Sequence, residues 1–191
     1  MGHPRRLKKK YSTPYHPWQR ARMEKETKLK DFYALKNKKE LWKVQSKLKN
    51  FTGQAKKAIR GETEQSKKEG KQLMERLKRL NLLESERVED VLNLTIENIM
   101  DRRLQTQVFK AGLARSMKQS RQLILHGHIF VSGKKMTVPS YLLNKNDTIA
   151  YNPRSSFSNP EHPERITEKK VIIKIETKEE TPGVEQVVEN G

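Results

Sequence analysis

An α+β fold is predicted by the way the hydrophobic period changes along this chain. Up to Met100, apolar side chains recur at three- and four-residue intervals, the spacing of helices that bury one face. Between His128 and Tyr151 short strand-like runs replace them, two of them separated by Ser132-Gly133, a two-residue hairpin turn. Glycines mark the joints of this second part, at Gly112 and Gly127. The expected order is a basic extended arm (1–17), a helical amino-terminal domain (18–100), a small module of two helices and an antiparallel sheet (101–152), and a linker with a mostly disordered acidic tail (153–191).

Each element follows from its residues. In the arm, Arg5, Arg6, Lys8, Lys9 and Lys10 stand among Pro4, Pro14 and Pro17, a mixture that forms neither helix nor core unless a partner orders it. Tyr11, Tyr15, His16 and Trp18 lie among these charges as planar groups able to stack on bases or riboses, although Trp18 is expected to dock on the protein itself. Gln19 to Leu35 reads as a weakly amphipathic helix. Asn37 is the expected cap of a stronger one, in which Leu41, Val44, Leu48, Phe51, Ala55 and Ala58 form one continuous seam. Its remaining surface carries Lys38, Lys39, Lys43, Lys47, Lys49, Lys56, Lys57 and Arg60 with almost no acid to pair them, which favours phosphate contact over a merely solvated face. Beyond Gly61 a third helix is expected from Glu64 to Leu83, with Leu73, Leu77 and Leu80 as its stripe, then a short one through Val88, Val91 and Leu92. Thr95 can cap a further helix through Ile96, Ile99 and Met100.

The module begins with a helix through Leu104, Val108 and Phe109 that Gly112 ends. Ser116 caps the next, with Gln119 placed to reach back as in a capping box, and Gly127 closes it. On a helical wheel Met117, Ser120, Leu123 and Ile124 share one side, while Lys118, Arg121, Gln122 and His126 sweep the other, with Arg115 just before the cap. Strands are expected at His128–Val131, Lys134–Val138 and Thr148–Tyr151, which sets Lys134 and Lys135 at the hairpin tip. After Tyr151 only Val171–Ile175 alternates like a strand.

Charge narrows the function. The 41 Lys and Arg exceed the 23 Asp and Glu, for a net charge of +18, and such a surface attracts polyanions. The excess falls in two blocks: residues 1–60 hold 19 basic and 4 acidic side chains and residues 101–165 hold 11 and 4, whereas 61–100 hold 7 and 9. Two cationic blocks about a near-neutral one indicate two contact regions on one polyanion. Only 33% of residues are hydrophobic, too few for one dense core using the whole chain. With no cysteine, thiol chemistry and disulfides are excluded. No apolar run reaches the length of a membrane span, and the basic start leads into proline and aromatic residues rather than the apolar stretch of a secretory signal.

The segments RRLQT, SMKQSRQLI and HIFVSGKKM, with the PSY and ND pattern before the last strand, resemble the alpha-L RNA-binding motif as it occurs in the small-subunit ribosomal protein S-four family (uS-four). HPRRLKKKYSTPYHPW and KNKKELWKVQSKLKNF resemble its archaeal and eukaryotic branch. The resemblance implies a non-enzymatic protein of the cytoplasmic ribosome that binds small-subunit ribosomal RNA, nucleates assembly of the body, touches a neighbouring protein of the S-five family and shares in decoding accuracy. Arg102, Arg103, Arg115, Lys118, Arg121, Gln122, His126, Lys134 and Lys135 are the candidate RNA contacts of the module, and Arg5, Arg6, Lys8, Lys9, Lys10, Lys43 and Lys47 those outside it. Arg103 has a second reading, pairing with Asp101 or Asp147.

Other chemistry finds little footing. His3, His16, His126, His128 and His162 have no metal-binding spacing, and the cysteine-ligated zinc that bacterial members of the family can carry has no counterpart, so no cofactor or metal is expected. GHIFVSGKK departs from a phosphate-binding loop because Lys135 stands where the hydroxyl residue belongs, and no nucleophile, base and acid can be read together. Two other readings remain: a duplex-DNA or chromatin binder, whose two-helix turn would act as a helix-turn-helix, and a helical interaction scaffold using the 41–58 seam as a coiled coil.

Overall fold

In the computed structural model the described residues are 9–61, 63–159, 162, 163 and 165. They form α1 (Arg20–Phe32), α2 (Lys38–Arg60), α3 (Glu64–Arg79), a 3-10 turn (Val88–Asn93), α4 (Ile96–Asp101), α5 (Leu104–Lys110), α6 (Met117–Leu125), β1 (Ile129–Val131), β2 (Lys134–Lys135), β3 (Ile149–Tyr151) and a second 3-10 turn (Ser156–Ser158). The α+β architecture is as the periodicity predicts. The Val171–Ile175 strand, and Arg5, Arg6 and Lys8, lie outside the described residues.

The seam of α2 finds its partner inside the chain. Leu41, Val44, Phe51 and Ala55 bury against Leu73, Met74 and Leu77 of α3, and Val91, Ile99 and Met100 close this core. With those positions consumed, the seam is not open for a coiled coil with another chain. Thr63 Oγ1 accepts from Ser66 N at the start of α3, and Thr95 Oγ1 accepts from Asn98 N at the start of α4. Asn37 stands at the N-cap of α2 without a side-chain hydrogen bond to the helix.

A second core comprises Leu104, Val108, Ala114, Leu123, Ile124, Ile129, Val131 and Leu143. Its sheet has the order β2-β1-β3, all antiparallel. The turn residues Ser132 and Gly133 take φ +48° and +77°, the two positive values of a type I′ hairpin. Regular pairing in β2 stops at Lys135, short of the expected Val138, because the chain leaves the sheet edge before Pro139 and joins the start of α5 instead. Leu104 N donates to Tyr141 O at 2.8 Å and Leu143 N to Arg102 O at 3.1 Å.

Polar contacts join the two cores. The Gln105 amide donates to Tyr33 O at 3.1 Å and Met117 O at 3.0 Å, Lys145 N donates to Arg79 O at 2.8 Å, and Tyr33 Oη donates to Asp101 at 2.9 Å. Burial, with the Asp101 carboxylate next to it, raises the Tyr33 pKa well above the phenol range. A tyrosine so held stays protonated and keeps donating.

Part of the stretch expected as linker packs on the module. Ser155 is buried, with its hydroxyl 2.7 Å from His128 Nδ1, and the Phe157 ring lies 5.0 Å from His128 and stacks at 6.3 Å on Tyr151. One phenyl ring and one hydroxyl are enough to dock a segment whose composition resembles a linker.

Candidate nucleic-acid interface

The geometry centres on α6, whose ends are fixed by the chemistry of their own residues. Ser116 Oγ accepts from Gln119 N at 3.2 Å, and Gln119 Oε1 reaches back to Arg115 N at 2.6 Å. Ser120, Leu123 and Ile124 face the core, leaving Lys118, Gln122 and His126 exposed in a row at four-residue spacing. Gly127, at φ +75°, turns the chain into β1. The positive φ is what calls for glycine there, and the end of the exposed Lys135 side chain lies across it. That crossing brings Lys135 close to His128. Burial, then the charges of His126, Lys135 and His162, lower the His128 pKa, which keeps its ring neutral near pH 7. Lys134 and Lys135 are both exposed at the hairpin tip.

On one flank of α6 runs a groove walled by α2. Lys43, Lys47 and Glu40 of α2 face Arg121 and Leu125 of α6, with Pro139, Ser140 and Leu142 as the floor. An adjoining depression shares Lys47, Ser140 and Leu142 and adds Arg76 and Arg79 of α3. Lys43, Lys47, Arg76 and Arg79 are exposed along it. Partial enclosure by these walls, then the positive charge of Arg103 and Arg76, lower the Lys47 pKa. The groove crowds cations, and a phosphate is the ligand that relieves such crowding.

Three of the predicted contacts have other employment. Arg103 is 2% exposed and donates to Glu40 Oε2 at 2.7 Å, while its second terminal nitrogen approaches Met100 Sδ at 3.6 Å. Its reading as an RNA contact is therefore corrected to a fold role, and its acid is Glu40 rather than Asp101 or Asp147. Asp101 takes Tyr33 and Lys110, and Asp147 accepts from Asn144 N. Arg121 is turned to the same Glu40, with Nη2 at 2.8 Å from Oε1 and Nη1 at 3.1 Å from Oε2, so that only its edge lines the groove. Arg102 donates to the carbonyls of Leu80, Leu143 and Asn144 at 2.9, 3.1 and 3.2 Å, and burial lowers its pKa. Arg102 is a clasp between the end of α3 and the 143–144 turn.

Glu40 is the functional residue the sequence reasoning passed over. Burial by itself would raise its carboxyl, but the hydrogen bonds and charges of Arg121 and Arg103 outweigh it and hold the group below the ordinary glutamate range. One signal pointed to it: Glu40 is the only acid of a helix otherwise studded with lysines. Arg76, Arg79 and Ser140 were also missed as groove residues, since nothing local links them to α6. Arg115 is exposed and donates to Pro163 O, and Lys9 and Lys10 are exposed in the arm. Of the predicted contacts, Arg115, Gln122 and His126 line one cleft with His128 and Phe157, Lys43, Lys47 and Arg121 line the groove, Lys135 lies against Gly127 at the end of α6, and Lys118 and Lys134 are exposed.

A small antiparallel sheet behind a helix with an outward polar row, and a basic groove on that helix's flank, fits the class of folded RNA-binding modules read by shape and backbone. The description of the S4 domain matches residues 102–149. The protein named small ribosomal subunit protein uS4 of Methanococcus maripaludis strain C7 is 50% identical over 169 residues, covering 86% of this chain and 95% of that one. The proteins of the same name from Methanococcus vannielii and Methanococcus aeolicus are each 48% identical, over 87% and 86% of this chain and 96% of their own lengths. The chain belongs to the uS4 family of small ribosomal subunit proteins. Among the described residues no helix is long and apolar enough to cross a membrane, and no group of three or more His, Asp or Glu is placed to hold a metal ion.

Proposed function

We propose that this chain is a structural constituent of the small ribosomal subunit in the cytoplasm, that it binds small-subunit ribosomal RNA directly, and that it has no catalytic role. The reading is supported by family membership together with exposed cations at the hairpin (Lys134, Lys135), on α6 (Lys118) and along the groove (Lys43, Lys47, Arg76, Arg79). A-form RNA offers phosphates and 2′-hydroxyls by shape rather than base edges, and a concave basic surface built on two interlocked cores matches an RNA junction better than the flat reach of a recognition helix. Nucleating assembly of the body, a contact with a neighbour of the S-five family and a part in decoding accuracy belong to the same proposal through family membership.

The test is equilibrium binding of the full chain to protein-free small-subunit ribosomal RNA, with duplex DNA as competitor over a range of salt. The proposal expects tight, steeply salt-dependent binding that excess duplex DNA does not displace. Equal competition by duplex DNA would overturn it in favour of a duplex binder.

A further inference from the structure

The segment before α1 is anchored by its backbone and by one ring. Arg22 donates to the carbonyls of His16 and Pro17 at 3.0 and 2.8 Å, and its own guanidinium is fixed by Glu26, which also accepts from Trp42 Nε1 at 3.1 Å. Ser12 N donates to Ser46 Oγ at 3.0 Å, and the Tyr11 ring lies 6.2 Å from that of Trp42. The clamped residues His16 and Pro17 stand between two aromatic side chains that take no part in this anchoring. Tyr15 is 91% exposed and Trp18 is 87% exposed, and the expectation that Trp18 docks on the protein is corrected. Trp18 forms one wall of an open cleft whose other walls include Arg22, Glu26 and Trp42.

Two large rings held in water on an ordered backbone are a preorganised surface, since little conformational freedom is left to lose on binding. Their surroundings select the occupant. Seven Lys and Arg and no acid precede Glu24 in the chain, Lys9 and Lys10 are exposed, and His16 meets the Tyr15 ring edge-on at 4.7 Å. Arg20 and Arg22 pair with Glu24 and Glu26, so the free charge near the rings is that of the arm lysines. Exposed aromatic faces beside such cations match a polyanion that carries planar groups, which is single-stranded RNA. We propose that Tyr15 and Trp18 form a stacking platform for unpaired RNA bases, a site separate from the α6 groove. This rests on the RNA-binding reading above and adds to it an interaction that is stacked rather than ionic.

Trp18 and Trp42 are the only two tryptophans, so the difference between wild type and Trp18→Phe isolates the Trp18 emission. Adding protein-free small-subunit ribosomal RNA to the full chain should quench that emission and protect it from acrylamide. Trp18→Ala should weaken binding roughly 10-fold with an unchanged salt slope, because the substitution removes a stacking surface and leaves every phosphate partner in place, while Trp18→Tyr retains most of the affinity. Trp18 still open to acrylamide in a formed complex would overturn the platform while leaving the RNA-binding reading intact, and so would an alanine variant that binds like wild type. Protection that arises only when other small-subunit proteins are added assigns the rings to a protein neighbour and equally overturns it. Absence of any complex would instead remove the RNA-binding reading and the platform with it.

Discussion

Replacing Glu40 by Gln separates two accounts of this surface because they predict opposite signs. Net charge alone expects tighter RNA binding, since an acid is removed from a cationic groove. The structure expects weaker binding, since Glu40 is what holds α2 of the first core to α5 and α6 of the second. Its two oxygens sit 2.7 Å from Arg103 and 2.8 Å from Arg121, and Arg103 has no water to fall back on, its side chain being 3% exposed. Stranding a buried guanidinium costs about 3–5 kcal/mol. Gln keeps the shape and one acceptor oxygen, so a loss at the low end, about 3 kcal/mol, is expected, which for a chain of this size lowers Tm by about 6–12 °C. Thermal unfolding followed by circular dichroism and filter binding to small-subunit ribosomal RNA, both on the purified full chain, give the two readings. A Glu40→Gln protein with wild-type Tm, or one that binds RNA more tightly, would refute the clasp.

Further expectations follow from the same geometry. Because the folded Glu40 carboxyl titrates below its unfolded value, its contribution is complete above the ordinary glutamate pKa and disappears as pH falls through the lowered one. The stability gap between wild type and Glu40→Gln should therefore shrink on acidification, and a gap independent of pH would speak against the ion pair. Lys118→Glu with Lys134→Glu changes two exposed side chains, so it should leave Tm within a few degrees while flattening the log–log salt slope by about 0.9 for each phosphate no longer neutralised. Arg102→Met removes three hydrogen bonds to carbonyls and should cost about 2–3 kcal/mol in urea unfolding with the salt slope unchanged; a flatter slope would return Arg102 to the interface. Ser116→Ala removes the cap of α6 and should destabilise by about 1 kcal/mol, read in the same unfolding experiment.

What could be read from the sequence was local. The stripe of α2, the Thr95 and Ser116 caps and the glycines at 112, 127 and 133 each follow from neighbours within a turn of chain, whereas the Thr63 cap became visible only in the structure. The row Lys118, Gln122 and His126 was legible for the same reason, because a wheel needs only the helical period. What escaped were pairings across long stretches of chain. Arg103 meets Glu40, 63 residues earlier, and an arginine's position gives no hint of which distant carboxylate will fold beside it. The 102–104 pairing with 141–143 escaped because so short a bridge carries no period. Trp18 misled for a different reason: residue type alone does not say where a ring ends up, and here the indole walls an open cleft at the surface instead of entering a core.

The central proposal, that α6, the hairpin tip and the α2 groove together grip small-subunit ribosomal RNA, is tested most directly by lysine acylation of the free chain and of its RNA complex. Lys43, Lys118, Lys134 and Lys135 should become unreactive on binding, while Lys67 and Lys71, exposed beside Glu75 and Glu86 at a different cleft, keep their reactivity. Protection of Lys67 and Lys71 with Lys118 and Lys134 still reactive would contradict the claim.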